Sequence, residues 1–255
     1  MSRGKVRRSA KKYKICVVGA GHVGLVAATC FSQLGHKVIC VDSNKKKIGL
    51  LKKLILPFYE PDLEPLVRKN FARGNLAFSP SLVEAIKEAQ VIFIAVGTPP
   101  KSDGSSDLTS VENVARTIAK NLTSYKLVVE KSTVPVQTGQ KVKETIHRHR
   151  KKNTAFDVAS NPEFLREGKA VYDFFNPDRI IMGLESKRAE KTLREIYSDF
   201  RCPIIVTDMN TAELIKHASN SFLATRISFI NAVARICDLA GANVAKVAEG
   251  MGLMA

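Results

Sequence analysis

Short continuous apolar runs alternate along this chain with longer segments whose apolar positions recur at helical spacing. The strand-like runs are 14–18, 36–41, 76–78, 91–96, 127–129, 157–160, 179–182 and 204–206. Helical patterns lie between them, as at 22–34, 81–89, 109–121, 135–150 and 187–200. Strands apolar on both faces, separated by helices of ten or more residues, predict an α/β domain. Its parallel sheet would be doubly wound, with helices covering both faces. Pro135 suits the first turn of its helix, where a missing N–H costs nothing.

The pattern changes near residue 208. Asn210-Thr211-Ala212-Glu213 has the form of a helix cap with a glutamate at the fourth position. No Pro or Gly follows before Gly241. A helix of roughly 30 residues is about 45 Å long. It would protrude from a doubly wound domain, so its apolar surface is expected to pack against a partner. A further short helix is predicted over 242–249.

Composition narrows the class. The chain has 255 residues, 45% apolar and 25% charged, which excludes wholesale disorder. No apolar run approaches the roughly 20 residues of a membrane helix. A basic N-terminus before the apolar stretch 15–30 imitates a signal peptide, but His22 and Gly19, Gly21 and Gly24 interrupt it. Strand, turn and helix fit that stretch better. The five cysteines are odd in number and none has C-x-x-C spacing. The expectation is reduced thiols in a cytoplasmic protein, with no metal site and no disulfide framework.

The net charge of +16 is concentrated in three runs. Residues 1–14 hold seven basic residues and no acid, 45–53 hold five lysines, and 141–152 hold six basic residues and one glutamate. The remainder is nearly neutral. The runs read either as a solvated tail and two solvated helix faces or as contacts to nucleic acid or acidic lipid. No aromatics interleave and no nucleic-acid motif occurs, which favours the first reading. Residues 1–13 are expected to form a disordered basic tail.

Candidate chemistry begins at Gly19-Ala20-Gly21-His22-Val23-Gly24, a G-x-G-x-x-G that follows a strand and opens a helix. The first glycine permits the tight turn, the second lets backbone approach a pyrophosphate, and the third lets helix and strand pack closely. The helix N-terminus offers N–H groups to phosphate. Asp42 ends the second strand, where a carboxylate accepts from ribose hydroxyls and repels a 2′-phosphate, so NAD is expected rather than NADP. Lys45, Lys46 and Lys47 nearby leave tolerance of that phosphate open. The domain is therefore expected to be Rossmann-like.

Further segments fall into a recognisable order. They are Pro57-Phe58-Tyr59-Glu60-Pro61, Val96-Gly97-Thr98-Pro99, Lys131-Ser132-Thr133-Val134-Pro135 and the run Ser160-Asn161-Pro162-Glu163-Phe164-Leu165-Arg166-Glu167-Gly168. Asn176-Pro177-Asp178-Arg179-Ile180, Ala212-Glu213-Leu214-Ile215-Lys216 with Asn220, and Gly250-Met251-Gly252 complete it. Over residues 14–252 the chain resembles the UDP-glucose/GDP-mannose dehydrogenase family, the UDP-glucose dehydrogenases in particular. Asn161–Glu167 resembles enzymes of UDP-glucose and GDP-mannose more than those of N-acetylated sugars.

The resemblance implies NAD-dependent oxidation of UDP-glucose at C6, twice, to UDP-glucuronate. It implies that Gly19, Gly21, His22, Val23, Gly24, Asp42, Lys47, Gly97, Thr98, Ser132 and Thr133 hold NAD, with Glu167 beside the nicotinamide. Lys216 and Asn220 would hold the C6 oxygen, Glu163 would act as general base and Thr133 would hold a water. Phe164, Leu165 and Arg166 would line the substrate. Read without the resemblance, Lys216 also fits a surface lysine, Glu163 a first-turn helix carboxylate and Thr133 a helix cap.

Residues 14–208 are expected to be the NAD-binding domain and 209–255 the start of a central helical domain that dimerises through 211–240. The family's catalytic cysteine lies beyond Gly-Met-Gly, so this chain resembles the N-terminal part only. None of Cys16, Cys30, Cys40, Cys202 and Cys237 has the flanking context that activates a thiol. Complete oxidation by this chain alone is expected to fail. Alternatives are a non-catalytic NAD-binding and dimerisation module, a fragment of a GDP-mannose dehydrogenase and a nucleic-acid binder.

Overall fold

The computed structural model describes residues 11–151 and 153–252. The chain divides into two compact units, with the boundary after Leu214.

The first unit is built on one eight-stranded sheet in the order β3-β2-β1-β4-β5-β6-β7-β8. Its strands are β1 (Lys14–Val18), β2 (Lys37–Val41), β3 (Leu76–Ser79), β4 (Val91–Ile94), β5 (Lys126–Glu130), β6 (Phe156–Ser160), β7 (Ile180–Leu184) and β8 (Ile204–Thr207). The helices are α1 (His22–Gln33), α2 (Lys45–Lys52), α3 (Leu63–Ala72), α4 (Leu82–Glu88), α5 (Thr109–Asn121), α6 (Thr138–His149), α7 (Ala170–Phe175) and α8 (Lys187–Ile196). Then come α9 (Met209–Ala240), which crosses into the second unit, and α10 (Val244–Gly252).

Two separate cores flank the sheet, as strands apolar on both faces require. Under α1, α3, α7 and α8, Phe31 stacks on Phe93 at 4.8 Å and meets Phe174 edge-on at 5.1 Å. Under α4, α5 and α6 the filling is aliphatic, with Ile92, Ile94, Ile118, Val142 and Ile146.

Three details depart from the sequence pattern. First, β7 runs antiparallel to β6, while β8 is parallel to β7. Between β6 and β7 the only helix is α7, six residues and about 9 Å long. It is too short to return the chain to the far edge of the sheet, so β7 enters from the carboxyl edge. Second, α6 starts at Thr138, not in the turn opened by Pro135. Thr138 N–H donates to Pro135 O at 3.2 Å and Gln137 is left-handed at φ 75°, so Pro135 lies in a preceding turn. Third, α9 starts at Met209 and is capped by Asp208, which accepts from Thr211 N–H at 2.9 Å. The pattern also passed over α3 and α7.

The basic runs fare differently. Residues 1–10 of the expected tail lie outside the described residues. Tyr13 is already buried, its N–H donating to His36 Nδ1 at 3.1 Å and its hydroxyl to Glu195. The run 45–53 lies on α2 with its lysines turned outward or half-buried and Ile48 and Leu51 beneath.

His36 is itself buried, and burial followed by the nearby Lys12 charge lowers its pKa. An imidazole with a depressed native pKa binds protons more readily when unfolded. Its contribution is complete above about pH 6.5 and is lost as pH falls below it. Between pH 7 and pH 5 the urea midpoint of the unaltered chain is therefore expected to drop relative to that of His36→Asn, whatever slope the buried acids give to both. Parallel curves for the two proteins would refute the assignment.

In the second unit, α9 exposes Phe222, Leu223, Ile227, Phe229, Ile236 and Leu239, the last 92% accessible. Among the described residues no helix is long and apolar enough to cross a membrane.

Candidate functional site

The order β3-β2-β1-β4-β5-β6 places β1 beside β4, where the winding of the sheet reverses direction. Ligands of open α/β sheets bind at this crevice, outside the carboxyl ends of the strands. The turn after β1, Asp42 after β2 and the segments after β4, β5 and β6 all open on that edge.

The glycine turn is fixed by sterics. Gly19 has φ 106°, and a Cβ there would lie 2.2 Å from Ala95 O. A Cβ on Gly24 would lie 1.8 Å from Gly19 O. A Cβ on Gly21 would meet nothing within 4 Å, so this position is an open cradle. No side chain caps α1 and no acid occupies its first turn, which suits an anion at its N–H groups. Val23 packs against the core. The donors and the space fit a dinucleotide pyrophosphate.

Asp42 is organised from three sides. Its Oδ2 accepts from Ala20 N–H at 3.0 Å and Lys47 Nζ at 2.9 Å, and its Oδ1 from Asn44 N–H at 2.9 Å. Burial raises its pKa, but those hydrogen bonds outweigh it and hold the carboxyl below the usual range. It is charged at neutral pH and fastened to the turn that it serves.

Two further segments are tied together, since Thr98 Oγ1 donates to Thr133 O at 2.8 Å. Gly97 has open space where a Cβ would stand. Ser132 N–H donates to Ile94 O at 3.1 Å and to Glu130 Oε1 at 2.9 Å. Glu130 is fully buried, and its Oε2 has no partner. Burial pushes this carboxyl up to about 8 against the Ser132 bonds, and Glu213 pushes it the same way. Glu213 is also buried and raised by burial, with Oε1 accepting from Gly139 N–H at 2.7 Å and Ser160 Oγ at 2.9 Å. It thus supplies the N-terminal acceptor that α6 lacks among its own side chains.

After β6 the segment 161–169 is not helical. Asn161 is buried and structural: its Nδ2 donates to Ile181 O at 2.7 Å, and its Oδ1 accepts from Tyr197 Oη at 2.6 Å and Lys131 Nζ at 3.2 Å. Glu163 accepts from Leu165 N–H, and Leu165 packs against the core. Phe164 lies under the Arg179 guanidinium at 4.2 Å. Arg166 grips Asp173 through Nε at 3.0 Å and a terminal nitrogen at 2.6 Å. The Arg166 bond, outweighing burial, lowers the Asp173 pKa. Glu167 is exposed.

Of the eighteen candidate residues, sixteen stand on the first unit's carboxyl edge, and Lys216 and Asn220 stand one turn apart on α9 in the second unit. Thr133 does not cap α6, whose N-cap is Gln137. Glu60, Asp173 and Glu130 had no assigned role in the pattern, and Glu213, expected to cap its own helix, instead accepts from Gly139 at the start of α6. Glu60 was visible as the acid of Phe-Tyr-Glu-Pro; the partners of the other three lie too far along the chain or in too irregular a segment to signal. All five cysteines are unpaired. Burial raises the thiol pKa of Cys16, Cys30, Cys40 and Cys202, that of Cys16 to about 12.

Comparison with known proteins adds an independent line. Residues 13–201 match the NAD binding domain of the UDP-glucose/GDP-mannose dehydrogenase family, and residues 210–255 match its central domain. UDP-glucose 6-dehydrogenase TuaD of Bacillus subtilis is 48% identical over 240 residues, 94% of this chain and 52% of that protein. The structure of a UDP-glucose dehydrogenase from Pyrobaculum islandicum superposes with a TM-score of 0.92 at 40% identity, covering 98% of this chain and 59% of the other. A GDP-mannose dehydrogenase from Pseudomonas aeruginosa gives 0.90 at 34% identity, covering 94% and 56%. The chain spans about half the length of the curated relatives it matches.

Proposed function

Because the chain belongs to the UDP-glucose/GDP-mannose dehydrogenase family, we propose that it takes part in NAD-dependent oxidation of UDP-glucose at C6 to UDP-glucuronate. The observation that carries the cofactor half is Gly21, open to a ligand between two glycines that backbone contacts forbid to change. In this reading residues 14–208 hold NAD, and 209–255 begin a helical region that pairs two copies through 211–240. The exposed Phe222, Ile227, Phe229 and Leu239 supply the apolar surface for pairing. Five unpaired thiols suit the reducing cytoplasm.

NAD, when bound, accepts the hydride. The protein's own groups bind and orient. The N–H groups at the start of α1 receive the pyrophosphate, and Asp42 accepts from the adenosine ribose. Lys47 holds Asp42 in place at 2.9 Å. Gly97, Thr98, Ser132 and Thr133 border the cofactor, Thr133 holding a water, and Glu167 stands by the nicotinamide. Phe164, Leu165 and Arg166 line the sugar nucleotide. Glu163 takes the proton from the C6 hydroxyl. Lys216 and Asn220 present an ammonium and an amide to the same oxygen, where developing negative charge needs them.

Calorimetric titration of the purified chain tests this reading. NAD should bind and NADP should bind more weakly. UDP-glucose added to the NAD-loaded chain should give further heat, and more than GDP-mannose does. Absence of NAD binding would overturn the proposal, and a preference for GDP-mannose would move the substrate. Asp42→Ala should weaken NAD about tenfold, the loss of one charge-assisted hydrogen bond, and bring NADP to within about threefold of NAD.

A further inference from the structure

Glu60 joins the two halves of the candidate site. Its side chain is buried, and its Oε2 lies 2.7 Å from His22 Nε2. The same oxygen accepts from Gly168 N–H at 2.9 Å, and Oε1 accepts from Ala170 N–H at 2.8 Å. His22 opens α1 directly after Gly21. Gly168 directly follows Glu167, and Ala170 opens α7. One carboxylate, distant from both in sequence, therefore fastens the start of the cofactor helix to the end of the segment that carries Arg166 and Glu167.

The clamp is rigid. The His22 ring lies 5.1 Å from the Phe58 ring, so Phe58 and Glu60 fix it from two directions. Burial raises the Glu60 pKa, but the bonds from His22, Gly168 and Ala170 outweigh it and hold the group charged. A buried carboxylate that loses a donor is left underbonded, which is costly. His22 and Gly168 share one oxygen, so neither can shift without disturbing the bond of the other.

We propose that Glu60 is a positioning residue that couples cofactor binding to the order of segment 163–169. The inference rests on the NAD reading above. NAD settling on the N-terminus of α1 fixes His22, and Glu60 passes that constraint to Gly168 and Ala170. Arg166 and Glu167 are thereby held where the sugar and the nicotinamide meet.

Trypsin reads this directly, because Arg166 and Lys169 are exposed cleavage sites in the segment. Saturating NAD should slow cleavage there in the unaltered chain by about tenfold. Glu60→Gln turns one end of the clamp into a donor facing a donor. It should raise the NAD dissociation constant about tenfold and abolish the protection even at saturation. His22→Phe keeps the ring against Phe58 and leaves both backbone bonds to Glu60. Each variant's cleavage without NAD serves as its own baseline, and protection by saturating NAD, measured against that baseline, should be lost.

If circular dichroism shows Glu60→Gln unfolded, His22→Phe decides alone. Full protection in His22→Phe at saturating NAD would overturn the inference, as would NAD binding to the unaltered chain without protection. No NAD binding to the unaltered chain would overturn the cofactor reading and this inference with it.

Discussion

Gly24→Ala is expected to lose much of the stability of the fold, whereas Gly21→Ala, three residues away, should lose the cofactor and almost nothing else. At Gly24 the new methyl group would sit 1.8 Å from the Gly19 carbonyl oxygen. Both are backbone-anchored, so β1 and α1 must separate. Overpacking of this kind costs on the order of 3 kcal/mol or more. For a chain of this size that lowers the melting temperature by about 6–12 °C. At Gly21 the methyl group meets no protein atom, and φ of −79° suits alanine. The loss there should stay within about 1 kcal/mol, the ordinary cost of alanine at an N-cap. NAD affinity should nevertheless fall about a hundredfold, since the methyl group occupies the approach of the pyrophosphate. Differential scanning fluorimetry with NAD titration separates the two effects. Equal melting temperatures for the two variants would refute the steric account.

Glu130→Gln is expected to stabilise the protein at alkaline pH and to leave it nearly unchanged near pH 5. The native carboxyl titrates at about 8 because burial disfavours its charge. In the unfolded chain it titrates near the ordinary glutamate value. The native state therefore holds the proton more tightly, and stability falls as pH rises from about 4.5 to about 8. The full span corresponds to as much as about 5 kcal/mol. A glutamine keeps an oxygen to accept from Ser132 N–H at 2.9 Å and never ionises. Urea denaturation at pH 5, 7 and 8.5 should show the two proteins diverging progressively, the variant ahead. Glu213, raised in the same direction by burial, adds a residual slope of the same sign in both. Curves that stay parallel across this range would place Glu130 in a charged state throughout.

Most of the fold was legible because its information is local. All eight strands announce themselves as short, largely apolar runs, and the glycine turn by spacing. What escaped was either too short or concealed. The six residues of α7 span less than two turns. Pro65, in the first turn of α3, follows Pro57 and Pro61, so the region reads as loop. The direction of β7 leaves no trace in an apolar pattern, since a strand buried on both faces reads alike either way. At the site, the motif positions were visible, but their wiring was not. Glu60 acts on residues 38, 108 and 110 positions away. Glu213 caps a helix that begins 75 residues earlier, at Thr138, and no local rule links the two. Buried acids of this kind are legible only once the chain is folded.

The reversal at β7 also bears on how the sheet coheres. Across that seam the backbone pairs only Ala159 with Leu184 and Ser160 with Gly183, against five paired positions between β5 and β6. Side chains make up the deficit: Asn161 Nδ2 reaches Ile181 O as a ladder bond would, and Tyr197 braces Asn161 from the other side. The segment from β7 to β8 thus joins the Rossmann-like sheet through few backbone pairs, and side-chain bonds carry much of the seam, those of Asn161 and Tyr197 together with Ser186 to Asp157 at 3.0 Å and Tyr13 to Glu195. It has the makings of a separate foldon, able to open while the nucleotide crevice stays intact. In amide exchange, β7 and β8 would then form one cooperative block, less protected than β1 and β4.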